Sequence, residues 1–244
     1  SSVFDETSVD FLEELNAPAY KIASFEAIDL PLIRCAAKTG KPLIISTGIA
    51  DYDEIAESLD AAKSAGATEI ALLHCVSGYP APAKDYNLLT ISDMAQKFGV
   101  VVGLSDHTLN NVTAITSVAT GAKIIEKHFT LDRNSGSPDD DFSIHPDELA
   151  SLCRDTYQAW SAVGKISYEV KESERANKKF RRSLYFVNDL KAGSVIDEGS
   201  IRSVRPGYGL DPKFFDQVSG ATLKKDVSRN TPVTWDVLKE NKNA

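Results

Sequence analysis

From Pro18 to Thr130 short apolar runs alternate with longer stretches whose apolar residues recur every three to four positions. The runs read as strands over Ala19 to Ser24, Pro42 to Thr47, Glu69 to Ser77, Val100 to Ser105 and Lys123 to Phe129. Between them the spacing predicts helices. Tyr52 to Ala65 places Ile55, Ala56, Leu59, Ala62 and Ala65 on one face of a 3.6-residue period, and Asn111 to Thr120 leaves room for another. Glycine turns at Gly40, Gly66, Gly99 and Gly121 stand ahead of the following strands, as C-terminal caps of the preceding helices would. Five βα units in series imply a parallel sheet covered by helices.

An open doubly wound sheet and a closed (β/α)8 barrel both meet that description. A nucleotide-binding doubly wound fold usually announces itself by a glycine-rich loop after a strand, and no GxGxxG or Walker pattern occurs. Nearly every strand ends instead in a chemically useful group: Lys21 and Ser24, Ser46 and Thr47, Ser77, Ser105 and His107, Glu126 and His128. Such groups spread over several strand ends belong to the C-terminal face of a barrel. The expected fold is therefore α/β, a partial (β/α)8 TIM barrel holding about the last five to six units, with a small β-rich domain behind it. Ser2 to Phe4 reads as the end of a sixth strand, and two to three units are expected upstream of it.

The chemistry concentrates between Val100 and Thr130. Residues two apart in a strand share a face, so Ser105 pairs with His107 and Glu126 with His128. If the two strands are parallel neighbours, the histidines can meet around one metal ion. A single histidine in an apolar strand is more often a packed core residue; two strands that each end in a polar residue and a histidine fit that description less well.

Beyond the last strand comes a polar loop, Asp132 to Asp141, and then a helix from Pro146 to about Val163 with Asp147 and Glu148 in its first turn. Gly164 to Arg182 is densely charged and reads as a linker. From Ser183 short strands and turns take over, and Asp189 to Ile196 recurs weakly 37 residues later as Asp226 to Val233. The expected organisation is a barrel domain over 1–163, a linker over 164–182 and a small pseudo-symmetric β domain over 183–244, centred on Arg202 to Leu210.

Composition removes several classes. A net charge of -8 without an offsetting basic stripe argues against nucleic acid, and no apolar run approaches a membrane span. Three widely spaced cysteines, Cys35, Cys75 and Cys153, read as free thiols of a reducing compartment, hence a cytoplasmic protein.

Tyr20 to Glu26, Ile45-Ser46-Thr47-Gly48, Leu73-His74-Cys75, Tyr79-Pro80-Ala81-Pro82, Gly103 to Leu109 and Ile125 to Leu131 together resemble the sialic acid synthase family, in the order and spacing of the second half of its catalytic barrel. The tail from about Ser183, with Arg205-Pro206-Gly207, is similar to that family's antifreeze-like (SAF) domain. Within the family, Ser24-Phe25-Glu26, Ile166 to Val170, Phe180 to Leu184 and Ser203 to Leu210 look most like the pseudaminic acid synthases, the N-acetylneuraminate and legionaminate synthases being the alternatives.

The resemblance implies a transferase that condenses phosphoenolpyruvate (PEP) with the open-chain aldehyde of an N-acylated amino sugar, giving a nine-carbon 2-keto acid and phosphate. For the pseudaminate branch the acceptor is 2,4-diacetamido-2,4,6-trideoxy-altropyranose. It further implies a divalent metal, Mn²⁺ or Mg²⁺, held by His107 and His128, with no organic cofactor. Two imidazoles on their own would favour Mn²⁺, Fe²⁺, Co²⁺ or Zn²⁺ over Mg²⁺. Lys21, Ser24, Ser46 and Ser105 match PEP-binding positions, the lysine as cation and the serines as neutral donors. Ser77, Tyr79, Asp139 and Arg205 match positions near the sugar, and Glu126 and Glu26 are the candidates for catalytic carboxylates. In the family the SAF domain closes the barrel of the other subunit in a domain-swapped homodimer. Ser137, where the family usually has glycine, and His145, where it more often has an acid, depart from the pattern near the acceptor loop. Two other classes compete: a metal-dependent aldolase or epimerase, which has no use for the tail, and an inactive or sugar-binding barrel fragment.

Overall fold

The structure, a computed structural model, describes residues 1–239 and divides into two compact units, Ser1–Lys165 and the chain from Ile166 onward. In the first unit six strands alternate with six helices: β1 (Ser2–Val3), α1 (Glu6–Glu14), β2 (Tyr20–Ile22), α2 (Leu30–Lys38), β3 (Leu43–Ser46), α3 (Tyr52–Ser64), β4 (Ile70–Cys75), α4 (Leu89–Phe98), β5 (Val101–Asp106), α5 (Val112–Ala119), β6 (Ile124–Lys127) and α6 (Pro146–Val163). The strands form one parallel sheet in sequence order, β1-β2-β3-β4-β5-β6, as serial right-handed βα units produce. This is the half-barrel expected from the sequence, and Ser2–Val3 pairs with β2 as its sixth strand.

Local chemistry sets the helix ends. The Asp5, Asp29 and Asp51 carboxylates accept the N–H groups of Ser8, Leu32 and Glu54 at the starts of α1, α2 and α3, and Glu54 completes a capping box. Gly99 ends α4 in the left-handed conformation, φ 65°, where a side chain would be strained.

Side-chain parity divides the sheet into two unlike faces. Val3, Tyr20, Ile22, Leu43, Ile45, Ile70, Leu72, Val102 and Leu104 point to one side, where they form a buried core with Leu32, Ile33, Leu59, Ile91 and Met94 of the helices. Each such side chain contributes about 1.5–3 kcal/mol by leaving water. The register pairs Ser2↔Lys21, Lys21↔Ile44, Cys75↔Ser105 and Ser105↔Glu126 put the polar strand-end residues on the opposite, inward side. Gly103 lies on that side in β5. A Cβ there would come within 2.6 Å of Leu73 Cδ2 and closer still to the Ile124 carbonyl oxygen, so only glycine lets β5 sit flush between its neighbours.

All the expected strands but β5 are shorter than the apolar runs suggest; β5 is shifted by one residue instead. Ser77, His107 and His128 lie just past β4, β5 and β6, and loops take up the backbone groups of the two histidines. The His107 N–H donates to Tyr86 Oη, the His107 carbonyl accepts from Ala81, and the His128 carbonyl accepts from Ile144.

In the second unit, the charged stretch carries a short helix, α7 (Glu172–Arg175), and a 3-10 turn over Ala176–Phe180. There follow the antiparallel pair β7 (Ser183–Phe186) and β8 (Ile201–Val204), and α8 (Phe215–Val218). Leu184, Phe186, Ile196, Ile201, Val218, Leu223 and Val233 form its core. The weak repeat is a structural one. Leu190 and Val227 exchange backbone hydrogen bonds at 2.9 Å, the Asp189 carboxylate accepts the Arg229 N–H, and the equivalent Asp226 carboxylate accepts the Ala192 N–H.

Candidate active site

The inward face of the sheet opens into a cavity of about 450 Å³ lined by Lys21, Ser24, Glu26, Ser46, Tyr79, Ser105, His107, Glu126, His128 and Asp139, with Phe4 and Phe25 among the apolar contributors. That volume suits a small-molecule substrate. Sheet curvature brings these groups together. Lys21 leaves β2 and Glu126 leaves β6, four strand spacings away, about 19 Å if the sheet were flat. Their Nζ and Oε1 nevertheless lie 3.3 Å apart.

Around that contact sits a donor-rich cluster. Ser105 Oγ donates to Glu126 Oε1 at 2.8 Å, so both a hydroxyl and an ammonium converge on one carboxylate oxygen. Ser24 and Ser77 share a hydrogen bond of 2.8 Å. Gly48 makes that pairing possible, since a Cβ there would be 3.1 Å from Ser24 Cβ and would strike Ser77 Oγ. Cys75, on the same face, is buried, and burial pushes its thiol pKa up, away from reactivity. Ser46 Oγ and Glu26 Oε2 are buried without a hydrogen-bond partner. Groups in that condition are costly unless a ligand satisfies them, and both line the cavity.

The second cluster is built on the two histidines, whose ring centroids are 5.3 Å apart. His107 Nδ1 lies 2.9 Å from the Val76 carbonyl, which can only accept, so Nδ1 carries the proton and Nε2 keeps its lone pair. Burial holds the His107 pKa below the ordinary imidazole value, keeping the ring neutral. His128 Nδ1 faces Asp139 Oδ2 at 3.3 Å, which turns its Nε2 away from the carboxylate. Tyr79 covers His107 with centroids 4.4 Å apart, and Phe142 packs against His128 at 4.9 Å. Burial raises the Tyr79 phenol pKa. Imidazoles with open Nε2 atoms and oriented Nδ1 atoms fit a divalent metal. Among the described residues no group of three or more His, Cys, Asp and Glu side chains forms a ready cage, so substrate or water would have to supply the remaining ligands.

Of the residues singled out from the sequence, Lys21, Ser24, Glu26, Ser46, Tyr79, Ser105, His107, Glu126, His128 and Asp139 line one cavity. Ser77 stands behind Ser24. Arg205 belongs to the second unit. There Ser183 Oγ donates to the Pro206 carbonyl and accepts from the Gly209 N–H, which fixes the loop that carries the arginine. Glu126 is engaged by Lys21 and Ser105. Sequence reasoning passed over Tyr86, which holds the His107 backbone, and Phe142, which packs on His128. No local motif marks either, since each reaches the site from a loop.

A βα half-barrel whose strand ends gather a buried lysine, several hydroxyls and two imidazoles in one cavity has the make-up of a barrel enzyme that acts on a small molecule. The model of the NeuB family matches residues 1–168 and that of the SAF domain residues 181–239. The pseudaminic acid synthase of Helicobacter pylori is 37% identical over 242 residues, 99% of this chain and 71% of that protein. The N,N'-diacetyllegionaminic acid synthase of Campylobacter jejuni is 38% identical over 229 residues, 93% of this chain and 69% of that one. Among solved structures, the spore coat polysaccharide biosynthesis protein spsE of Bacillus subtilis aligns with TM-score 0.64 and 32% identity, covering 99% of this chain and 73% of that chain. The chain belongs to the NeuB family, a family of synthases, and carries an SAF domain.

Proposed function

We propose that the enzyme condenses PEP with 2,4-diacetamido-2,4,6-trideoxy-altropyranose to form pseudaminic acid and phosphate. The observation that carries this assignment is the pairing of two unlike clusters in one cavity, Lys21 with Ser105, Ser46 and Glu126 on one hand, and His107 with His128 and Asp139 on the other. PEP brings a carboxylate and a phosphate. Lys21 supplies the cation, and Ser24, Ser46 and Ser105 supply donors. The unpartnered Ser46 hydroxyl is a ready member of that set. The acceptor lies toward Tyr79 and Asp139, with Ser77 behind. Arg205 approaches its N-acyl group from a partner chain in a domain-swapped homodimer of the cytoplasm.

C3 of PEP forms the new bond to the aldehyde carbon, water adds at C2, and the tetrahedral adduct releases phosphate as the ketone forms. His107 and His128 would hold a divalent cation, Mn²⁺ or Mg²⁺, which supplies Lewis-acid polarisation of the aldehyde. Glu126 orients the attacking water, its carboxylate kept in place by Lys21 and Ser105. Glu26, with one oxygen unpartnered, faces the same cavity as a second carboxylate.

Support for the pseudaminate acceptor comes from the Phe25 and Tyr208 positions and from the Helicobacter relative. A legionaminate acceptor is the second reading, favoured by the nearly equal identity to the Campylobacter enzyme. The deciding experiment measures phosphate release from PEP with Mn²⁺, using a chain as long as its relatives. The altrose sugar is set against the legionaminate precursor and N-acetylmannosamine, with His107→Ala as control. Release with the altrose sugar alone supports the assignment. Release with another sugar alone moves the enzyme to that branch, and silence with all three removes the synthase assignment.

A further inference from the structure

Asp106 and Lys127 stand on a mostly apolar face, which His74 of β4 also shares. They form the last register pair between β5 and β6, with their side chains on the face opposite Ser105 and Glu126, where Val102, Leu104 and Ile125 precede them, while Lys127 itself borders the cavity. Both side chains are almost wholly buried, 0% and 2% exposed, and Lys127 Nζ lies 2.9 Å from Asp106 Oδ2. All three donors of the ammonium are used: besides Asp106, it reaches the carbonyls of Thr108 at 2.5 Å and Asn110 at 3.2 Å. Asp106 Oδ1 accepts the Thr108 N–H at 2.9 Å, and Oδ2 accepts the Thr108 hydroxyl at 3.2 Å.

Stability alone does not account for such a pair. Removing two charges from water costs more than their attraction commonly returns, and well-packed apolar residues in their place are often as stable or more so. An apolar pair cannot, however, hold the chain that leaves β5. Lys127 spans from β6 to the carbonyls on the far side of His107, while Asp106 grips the Thr108 amide. Each member of the pair immediately precedes one of the two histidines on the opposite face. We propose that Asp106 and Lys127 are positioning residues whose ion pair fixes the separation and orientation of His107 and His128. The metal-binding part of this inference rests on the assignment of the two histidines as metal ligands.

The test uses the full-length chain and the variants Lys127→Met and Asp106→Asn/Lys127→Gln, the second keeping neutral hydrogen-bonding groups should the first fail to fold. Leu59→Ala, which removes buried packing on α3, serves as a control of general destabilisation. Crystal structures and Mn²⁺ titration are read together, with PEP binding measured by calorimetry. In a folded variant the His107–His128 centroid separation departs from 5.3 Å, and Mn²⁺ affinity falls by about ten-fold or more, the usual effect of losing support behind a metal ligand. PEP affinity is unchanged, and the Leu59 control binds Mn²⁺ as the wild type does. A folded variant with the wild-type ring separation and wild-type Mn²⁺ affinity overturns the inference, as does a control that loses Mn²⁺ equally. If the wild type binds no Mn²⁺ but the rings still shift in the variants, the metal assignment falls and the positioning role stands. If neither is seen, both fall.

Discussion

Lys21 Nζ and Glu126 Oε1 lie 3.3 Å apart although they come from strands that are four positions apart in the sheet. Side chains cannot cover that span on a flat sheet, so their contact measures the curvature that gathers a row of strand ends around one cavity. It also sets Glu126 in competition with any anion that seeks Lys21. Glu126→Gln is therefore expected to leave the KM for PEP unchanged or lower while kcat falls about 100-fold, the scale of a lost acid-base group. Lys21→Met should act in the opposite sense, raising the KM for PEP at least ten-fold through a lost charged hydrogen bond of about 1.5–3 kcal/mol. Steady-state kinetics checks both, and wild-type kcat in the Glu126→Gln enzyme would remove Glu126 from the chemistry.

Gly103 is a stability prediction. The inward side of β5 has no room for a Cβ against Leu73 and the Ile124 carbonyl, and that carbonyl is fixed between strands. Gly103→Ala should cost roughly 3 kcal/mol by overpacking, read as a lower urea midpoint. An unchanged midpoint would mean that β5 and β6 can separate freely.

The pH dependence follows from His107. Its ring must be neutral to offer Nε2, and burial lowers its pKa, so the acid limb of kcat/KM should lie below the ordinary imidazole value of about 6.5. Tyr79→Ala uncovers the ring that it now covers. Solvation then favours the imidazolium, the pKa rises, and the acid limb moves up toward the ordinary value. A limb that stays in place after this substitution would show that His107 does not govern it.

Ser183 tests the second unit. It is 1% exposed and bonds both Pro206 and Gly209, on either side of Gly207. Ser183→Ala removes a partner from the part-buried Pro206 carbonyl and Gly209 N–H, at about 1 kcal/mol each. The melting temperature should fall, and the acceptor KM should rise while the PEP KM holds. Equal rises in both KM values would dissociate the Arg205 loop from the sugar.

The alternation of apolar and polar residues determined much of this protein by itself. Apolar runs separated by amphipathic stretches dictate βα units, and a period of two dictates that Ser105 shares a face with His107 and Glu126 with His128, because these relations are local to the backbone. The 37-residue repeat likewise pointed to a pseudo-symmetric β domain, while the reciprocal Asp189 and Asp226 contacts that realise it came only with the fold. Local rules stop at the strand's own axis. How tightly the sheet curves, and hence that Lys21 meets Glu126, depends on packing summed over all the strands. The same parity that sends His107 and His128 inward sends Asp106 and Lys127 outward, yet only the register of β5 on β6 makes those two an ion pair. Tyr86 and Phe142 enter the site from loops whose paths no periodicity encodes. The tertiary structure decided these contacts because each joins residues distant in sequence, and curvature, register and loop path alone set the distances between them.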